Sequence, residues 1–271
     1  MASWLDELDP VVSPPFVRMA TRALGESGPW LLGGDDVAGQ LAEKQRILAE
    51  HHDEVVAALP GTEDAATELL ALIDPAGDDG DGDDGDLHPI DAAARQVAED
   101  LCLLQETEGR WTLSAGSVCF PSHWRLRDKL GLPLAAVHDP VPDYAAELAD
   151  RVDRFLDRLR VGHGVWRRNW TVHTEPDLFA PDIPPPPDPP IDEADAGTRL
   201  WLRSERQTLT RLPRTGAIVF TIRTQQLPLE ALEQRPEIRR RLATAVAAWP
   251  PHQVAYRGGE AVRRPLLAWL Q

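Results

Sequence analysis

The stretch TRLWLRSERQTLTRLPRTGAIVFTIRT, residues 198–224, decides the fold. Apolar and β-branched residues place one strand in a segment within 199–211 and a second in AIVFTIRT (217–224), and PRTG between them supplies a turn. Two strands joined so tightly are antiparallel neighbours. Upstream, VWRRNWTV (165–172) reads as a third strand. LCLLQ (101–105) and WTLSAGSVCF (111–120) flank the polar ETEGR as a hairpin. The order is two strands, helices, then three strands, with helical extensions at both ends. It predicts an α+β fold: an antiparallel sheet with helices on one face. A helix crossing the open face of such a sheet makes a pocket of ligand size.

Helical spacing carries the flanks. Val37, Leu41, Leu48, Val55 and Leu59 predict one amphipathic helix, with Asp35 or Asp36 as N-cap and Pro60-Gly61 as the stop. Thr62 caps a second helix, whose buried stripe is Ala66, Leu69, Leu70 and Ile73 and which ends at Asp74-Pro75. Short helices are expected around Ile90, Ala94 and Val97 and again at Leu126 and Leu130. Tyr144, Leu148, Val152, Phe155, Leu156 and Leu159 mark a long helix closed by Gly162. Ile238, Leu242 and Val246 predict another, and Leu266, Leu267 and Leu270 a last one.

The chain divides accordingly. Residues 1–76 form an N-terminal helical region packed on the core, 87–225 the core itself, and 226–271 C-terminal helices. GDDGDGDDGD (77–86) is a disordered loop, since it carries dense negative charge and nothing apolar. It is not a calcium loop: aspartates at 79, 81 and 83 would require glycine at 84 and glutamate at 90, where Asp84 and Ile90 stand. Within the core, the excursion 181–195 opens with PDIPPPPDPP, whose prolines remove donors and impose a stiff, extended surface path.

The 271 residues are 42% hydrophobic, enough for a real core, and carry 28 basic against 44 acidic side chains. A formal charge of −16 argues against nucleic acid and anionic membrane surfaces as partners. No apolar run approaches a bilayer-spanning length and MASWLDELDP is acidic at its start, so a cytoplasmic location is expected. Two cysteines, Cys102 and Cys119, cannot build a four-cysteine zinc site or an iron–sulfur cluster. A disulfide between them is open in principle, but two small buried hydrophobes is the favoured reading. No phosphate loop, dinucleotide glycine fingerprint, metalloprotease pair or serine elbow is present. Of the eight histidines, His138 stands out: in AAVHDPVPDY, Pro140 and Pro142 stiffen the loop that holds it. The bland reading is a satisfied polar residue at a loop-to-helix junction.

Several runs carry a resemblance: VAEDLCLLQ (97–105), SAGSVCFPSHWRLRDKLGLPLAAVHDPVPDY (114–144), RRNW (167–170) and above all LRSERQTLTRLPRTGAIVFTIRT (202–224). Together they resemble the family of heme-dependent oxidative N-demethylases. The likeness covers most of residues 15–245, including KQRIL in the N-terminal helix, and departs mainly at 77–86 and in the length of the proline tract. It implies a PAS-like sheet holding heme b, residues 87–225 being the heme-binding core. It further implies oxidation of a small methylated amine with O2 to formaldehyde, with electrons from NADPH through a separate flavin and iron–sulfur reductase. A heme-binding PAS-like sensor or interaction protein without turnover is the competing class, and a scaffold is third.

Carried over residue by residue, the resemblance makes His138 the proximal iron ligand and His123 the runner-up; His88, in LHPID, reads as a helix cap. Arg206, Arg211 and Arg168 are candidates for the heme propionates, against ordinary cross-strand pairing with Glu205 or Asp100. Glu205 is the candidate anchor for the cationic amine, with Glu99 and Asp100 the other carboxylates in matched runs. Trp170, with Trp124 and Trp201, either walls the heme, cages an ammonium or anchors the core.

Overall fold

The computed structural model describes residues 3–10, 19–25, 30–75 and 87–271. It is an α+β fold built on one seven-stranded antiparallel sheet. The strands are β1 (Arg22–Ala23), β2 (Val56–Ala58), β3 (Asp100–Thr107), β4 (Arg110–Ser117), β5 (Val165–His173), β6 (Trp201–Arg211) and β7 (Ile218–Pro228). They lie in the order β1-β5-β6-β7-β3-β4-β2. Both hairpins foreseen from sequence form. β3 turns into β4 through Glu108 and Gly109, both at positive φ. β6 turns into β7 where the Leu212 N–H donates to the Ala217 carbonyl at 2.8 Å and Gly216 takes φ +73°.

The helices are α1 (Val37–Val55), α2 (Glu63–Ile73), α3 (Pro89–Ala94), α4 (Leu126–Lys129), α5 (Leu134–Val137), α6 (Tyr144–Glu147), α7 (Ala149–Arg158), α8 (Ala196–Arg199), α9 (Pro236–Ala247), α10 (Pro251–Tyr256) and α11 (Glu260–Leu270). Strand alternation distributes them. Leu101 and Leu103 of β3 join an apolar cluster with α1, α2 and α3. On the same face, Leu202 of β6 and Trp170 of β5 pack under α9 to α11 together with Trp4, Leu5 and Leu8. Cys102 and Leu104 point the other way, into a cluster with α4, α5 and α7. One face is therefore helix-covered along its whole width. The opposite face is covered at the β3–β4 end, an addition to the one-sided cover expected, and is less enclosed over β5 and β6.

Several expectations shift. The helix predicted to run to Leu59 ends at Val55, because residues 56–58 pair as strand with Ser117, Gly116 and Ala115 on the free edge of β4. An unpaired edge supplies backbone partners that outweigh helical periodicity. Thr62 precedes α2 but its hydroxyl donates to the Leu59 carbonyl at 2.7 Å rather than capping. Val97 lies beyond α3. The long helix through Tyr144 and Leu159 is broken at Leu148, whose φ of −124° and ψ of −33° separate α6 from α7. Residues 181–190 contain neither helix nor strand, and the acidic loop 77–86 lies outside the described residues. Both cysteines are buried free thiols, and burial pushes Cys119 up to about 12.

Candidate functional site

On β5, Arg167, Asn169 and Thr171 point to the less enclosed face, and the register places Asn169 opposite Glu205 and Thr171 opposite Arg203 on β6. Thr224 and Gln226 of β7 extend the two rows. Arg167, Asn169, Glu205 and Gln207 are only half-buried, whereas Arg168, Ser204 and Arg206 on the covered face are buried. Polar side chains on a sheet face that stays half open form the floor of a site. At one end of this floor, a cleft of about 310 Å³ is lined by Phe155, Arg158, Leu159, Arg160, His163 and Val165.

His138 sits at the C-terminal end of α5, a one-turn helix that begins after Pro133. Its Nδ1 lies 2.8 Å from the Leu134 carbonyl oxygen, so this nitrogen carries the hydrogen and donates it. Nε2 keeps its lone pair and has no hydrogen bond among the described residues. The ring stacks on Tyr144 with centroids 4.2 Å apart and planes 9° from parallel. The turn through Asp139 and Pro140 closes by donation from the Val141 N–H to the His138 carbonyl, and Asp143 takes a left-handed conformation to start α6. Burial, aided by the nearby Arg167 charge, holds the imidazole below its ordinary pKa and hence neutral.

Glu205 is held from the side. Asn169 Nδ2 at 3.2 Å and Gln207 Nε2 at 2.9 Å both donate to Oε2, leaving Oε1 outside those bonds. The charges of Arg167 and Arg203 and the hydroxyl of Tyr256 also lie within electrostatic reach of its carboxylate. Arg203 is fully buried and donates to the carbonyls of Phe120, Pro121 and Leu178, which fastens the 120–123 segment to the sheet. That segment brings His123, at φ +59°, into a stack on His173 with centroids 4.5 Å apart. His173 shares a hydrogen bond of 2.9 Å with Ser122, and burial with the Arg203 charge pushes its pKa down to about 2.

The structure thus brings His138 and Glu205 to one face, with Arg167 acting on both. Arg168, Arg206 and Trp170 go to the other. Arg168 pairs with Glu7 at 2.9 Å and lies over Trp4. Arg206 lies over Trp166, and Trp170 packs on Trp249. Arg211 has the parity of Glu205, but its three guanidinium nitrogens donate to the carbonyls of Leu159, Gly216 and Leu156. His88 caps α3 by accepting the Ile90 N–H, as its setting indicated. Asp100 accepts the N–H groups of Cys119 and Phe120, and Glu99 accepts that of Leu32. Trp124 packs on the apolar cluster beneath α4 and α5.

Sequence reading did not single out Arg167, Arg203, Tyr144 or His173. Arg167 had a usable signal: in RRNW it shares strand parity with Asn169, so of the two arginines it is the one on the Glu205 side. Arg203 and His173 had none, because their partners are carbonyls and rings far away in the chain.

Among the described residues no helix is long and apolar enough to cross a membrane. A family model described as "Haem-dependent oxidative N-demethylase, alpha subunit-like" matches residues 77–267, well over half of the chain.

Proposed function

The chain belongs to the heme-dependent oxidative N-demethylase, alpha subunit-like family, and from this premise we propose that it is the heme-binding subunit of a monooxygenase acting on a small methylated amine. The observation that carries the reading is His138. Its Nδ1–H is spent on a backbone carbonyl and its Nε2 is free, on the sheet face that also carries Glu205. A neutral imidazole oriented by such a hydrogen bond is the state in which histidine ligates a metal. The donor set therefore fits a b-type heme, whose iron His138 would hold, and Phe155, Leu159 and Val165 line the apolar part of the cleft at the Val165 end of β5. The PAS-like reading of the sheet is supported by its five long strands, in which the last of them, β7, closes between β3 and β6.

When bound, the heme supplies activation of O2 and oxidation of a methyl C–H bond. The protein's part is to bind and to orient. Glu205 attracts the ammonium form of the amine, more strongly in a half-dry cleft than in water. Asn169 and Gln207 hold Oε2 and so aim Oε1 at the substrate. Tyr144, stacked on His138, keeps the imidazole from rotating. Overall, one oxygen atom leaves in formaldehyde and the other in water, and two electrons and two protons are consumed per methyl group. The electrons come from a separate NADPH-dependent flavin and iron–sulfur reductase.

The test is an absorption spectrum of purified protein before and after dithionite, followed by turnover of dimethylamine with a competent reductase. A Soret band near one heme per chain and release of formaldehyde are expected. Absence of heme overturns the reading, and heme without formaldehyde from any methylamine replaces it with a heme-binding sensor.

A further inference from the structure

Arg167 and Arg168 are neighbours in the chain and opposites in circumstance. Arg168 is buried with an anion, Glu7, at 2.9 Å, and with Ser204 and Gln225 as further acceptors. Arg167 makes no hydrogen bond or ion pair among the described residues, and its Nε is buried without a partner. The nearest competitor for it, Glu205, is instead engaged by Asn169 and Gln207. A half-buried guanidinium whose Nε is buried with no acceptor leaves hydrogen-bonding capacity to be met by something outside the chain. The planar fork of arginine matches a carboxylate in two parallel hydrogen bonds. Around it stand His138, with its free Nε2, and Tyr144.

We propose that Arg167 receives a carboxylate of the bound heme, a propionate, and that it lacks a protein anion because the ligand brings one. This rests on the heme reading above. Arg168, Arg206 and Arg211 do not serve this role: two face the covered side of the sheet and the third is spent on carbonyls.

The experiment titrates the apo-protein with hemin and, separately, with hemin dimethyl ester, in which both carboxylates are neutral. The wild type binds the free acid about tenfold more tightly than the ester. Arg167→Met removes most of that preference, Arg167→Lys retains part of it, and Arg168→Met retains it in full. Thermal midpoints of the apo-proteins give a second readout that needs no heme: Arg167→Met does not lower the midpoint, since no hydrogen bond or ion pair is lost, and Arg168→Met lowers it by breaking a pair. Equal weakening of acid and ester in Arg167→Met, or a wild type that does not distinguish them, overturns the assignment while leaving the heme reading standing. A wild type that binds neither overturns both.

Discussion

The two faces of the sheet treat arginine in opposite ways. On the covered face, Arg168, Arg206 and Arg223 stand directly opposite one another on three adjacent strands, all buried. Like charges so placed repel. The fold answers with carboxylates and rings: Glu7 on Arg168, Asp36 on Arg223 at 2.9 Å, and the Trp166 ring under Arg206, with Glu7 and Glu99 in electrostatic reach. One residue along β5, on the other face, Arg167 makes no ion pair or hydrogen bond among the described residues, and the Glu205 carboxylate in its electrostatic reach is engaged by Asn169 and Gln207. The lesson is that a buried charge with its partner built in belongs to the architecture. On our proposal, the charge left open beside the His138 imidazole belongs to a ligand.

The sharpest way to break this contrast is to remove a charge from each face. Arg223→Met removes a buried guanidinium from its ion pair with the exposed Asp36 and should cost roughly 1–3 kcal/mol of stability by urea denaturation, where Arg167→Met should cost none. Equal losses would end the distinction between the faces. Next in size, His138→Ala should lower heme affinity about a hundredfold or more by Soret titration, while His123→Ala leaves it within a few-fold; the reverse pattern makes His123 the ligand.

Acidification probes His173 on the less enclosed face. His173 has a folded pKa of about 2 against an ordinary 6.5. Below pH 6.5 the unfolded chain takes up a proton that the folded one refuses, so stability is full above that pH and is lost as pH falls, at about 1.4 kcal/mol per unit. His123 and His138, also lowered, act in the same direction. Asp100, pushed up to about 6 by burial, works against them below that pH, because the folded state then holds the extra proton. His173→Gln should therefore lose about 2 kcal/mol less than wild type between pH 6.5 and 5, read from urea midpoints; an unchanged slope would show that His173 is not held neutral.

Glu205→Gln should raise KM for the amine about tenfold, equivalent to about 1.4 kcal/mol, with heme content unchanged; lost heme would make Glu205 structural. The smallest effect concerns a segment outside the described residues. Deleting residues 77–86 should move the thermal midpoint by no more than the equivalent of about 0.5 kcal/mol, and a larger fall would show that the acidic run packs on the body.

Much of this was legible from local pattern. Both hairpins, the His88 cap, the burial of the cysteines and the broad α+β class follow from alternation, turn chemistry and apolar spacing, which act over a few residues. Where local pattern misled, a distant partner had intervened. Val56 to Ala58 left a helical register to pair with β4, and the Thr62 hydroxyl turned back to Leu59.

For the site, the sequence by itself determined the residue types, the stiffened loop around His138 and, through RRNW, that two arginines would point to opposite sides of a strand. It did not determine which side is which. That choice is made by Asn169 pairing with Glu205 and by the N-terminal segment delivering Glu7 to Arg168. The physical reason is that alternation along a strand is a local property of the backbone, whereas the identity of each face depends on which remote segments supply its cover and its counter-charges. Only the tertiary structure brings those segments to the sheet.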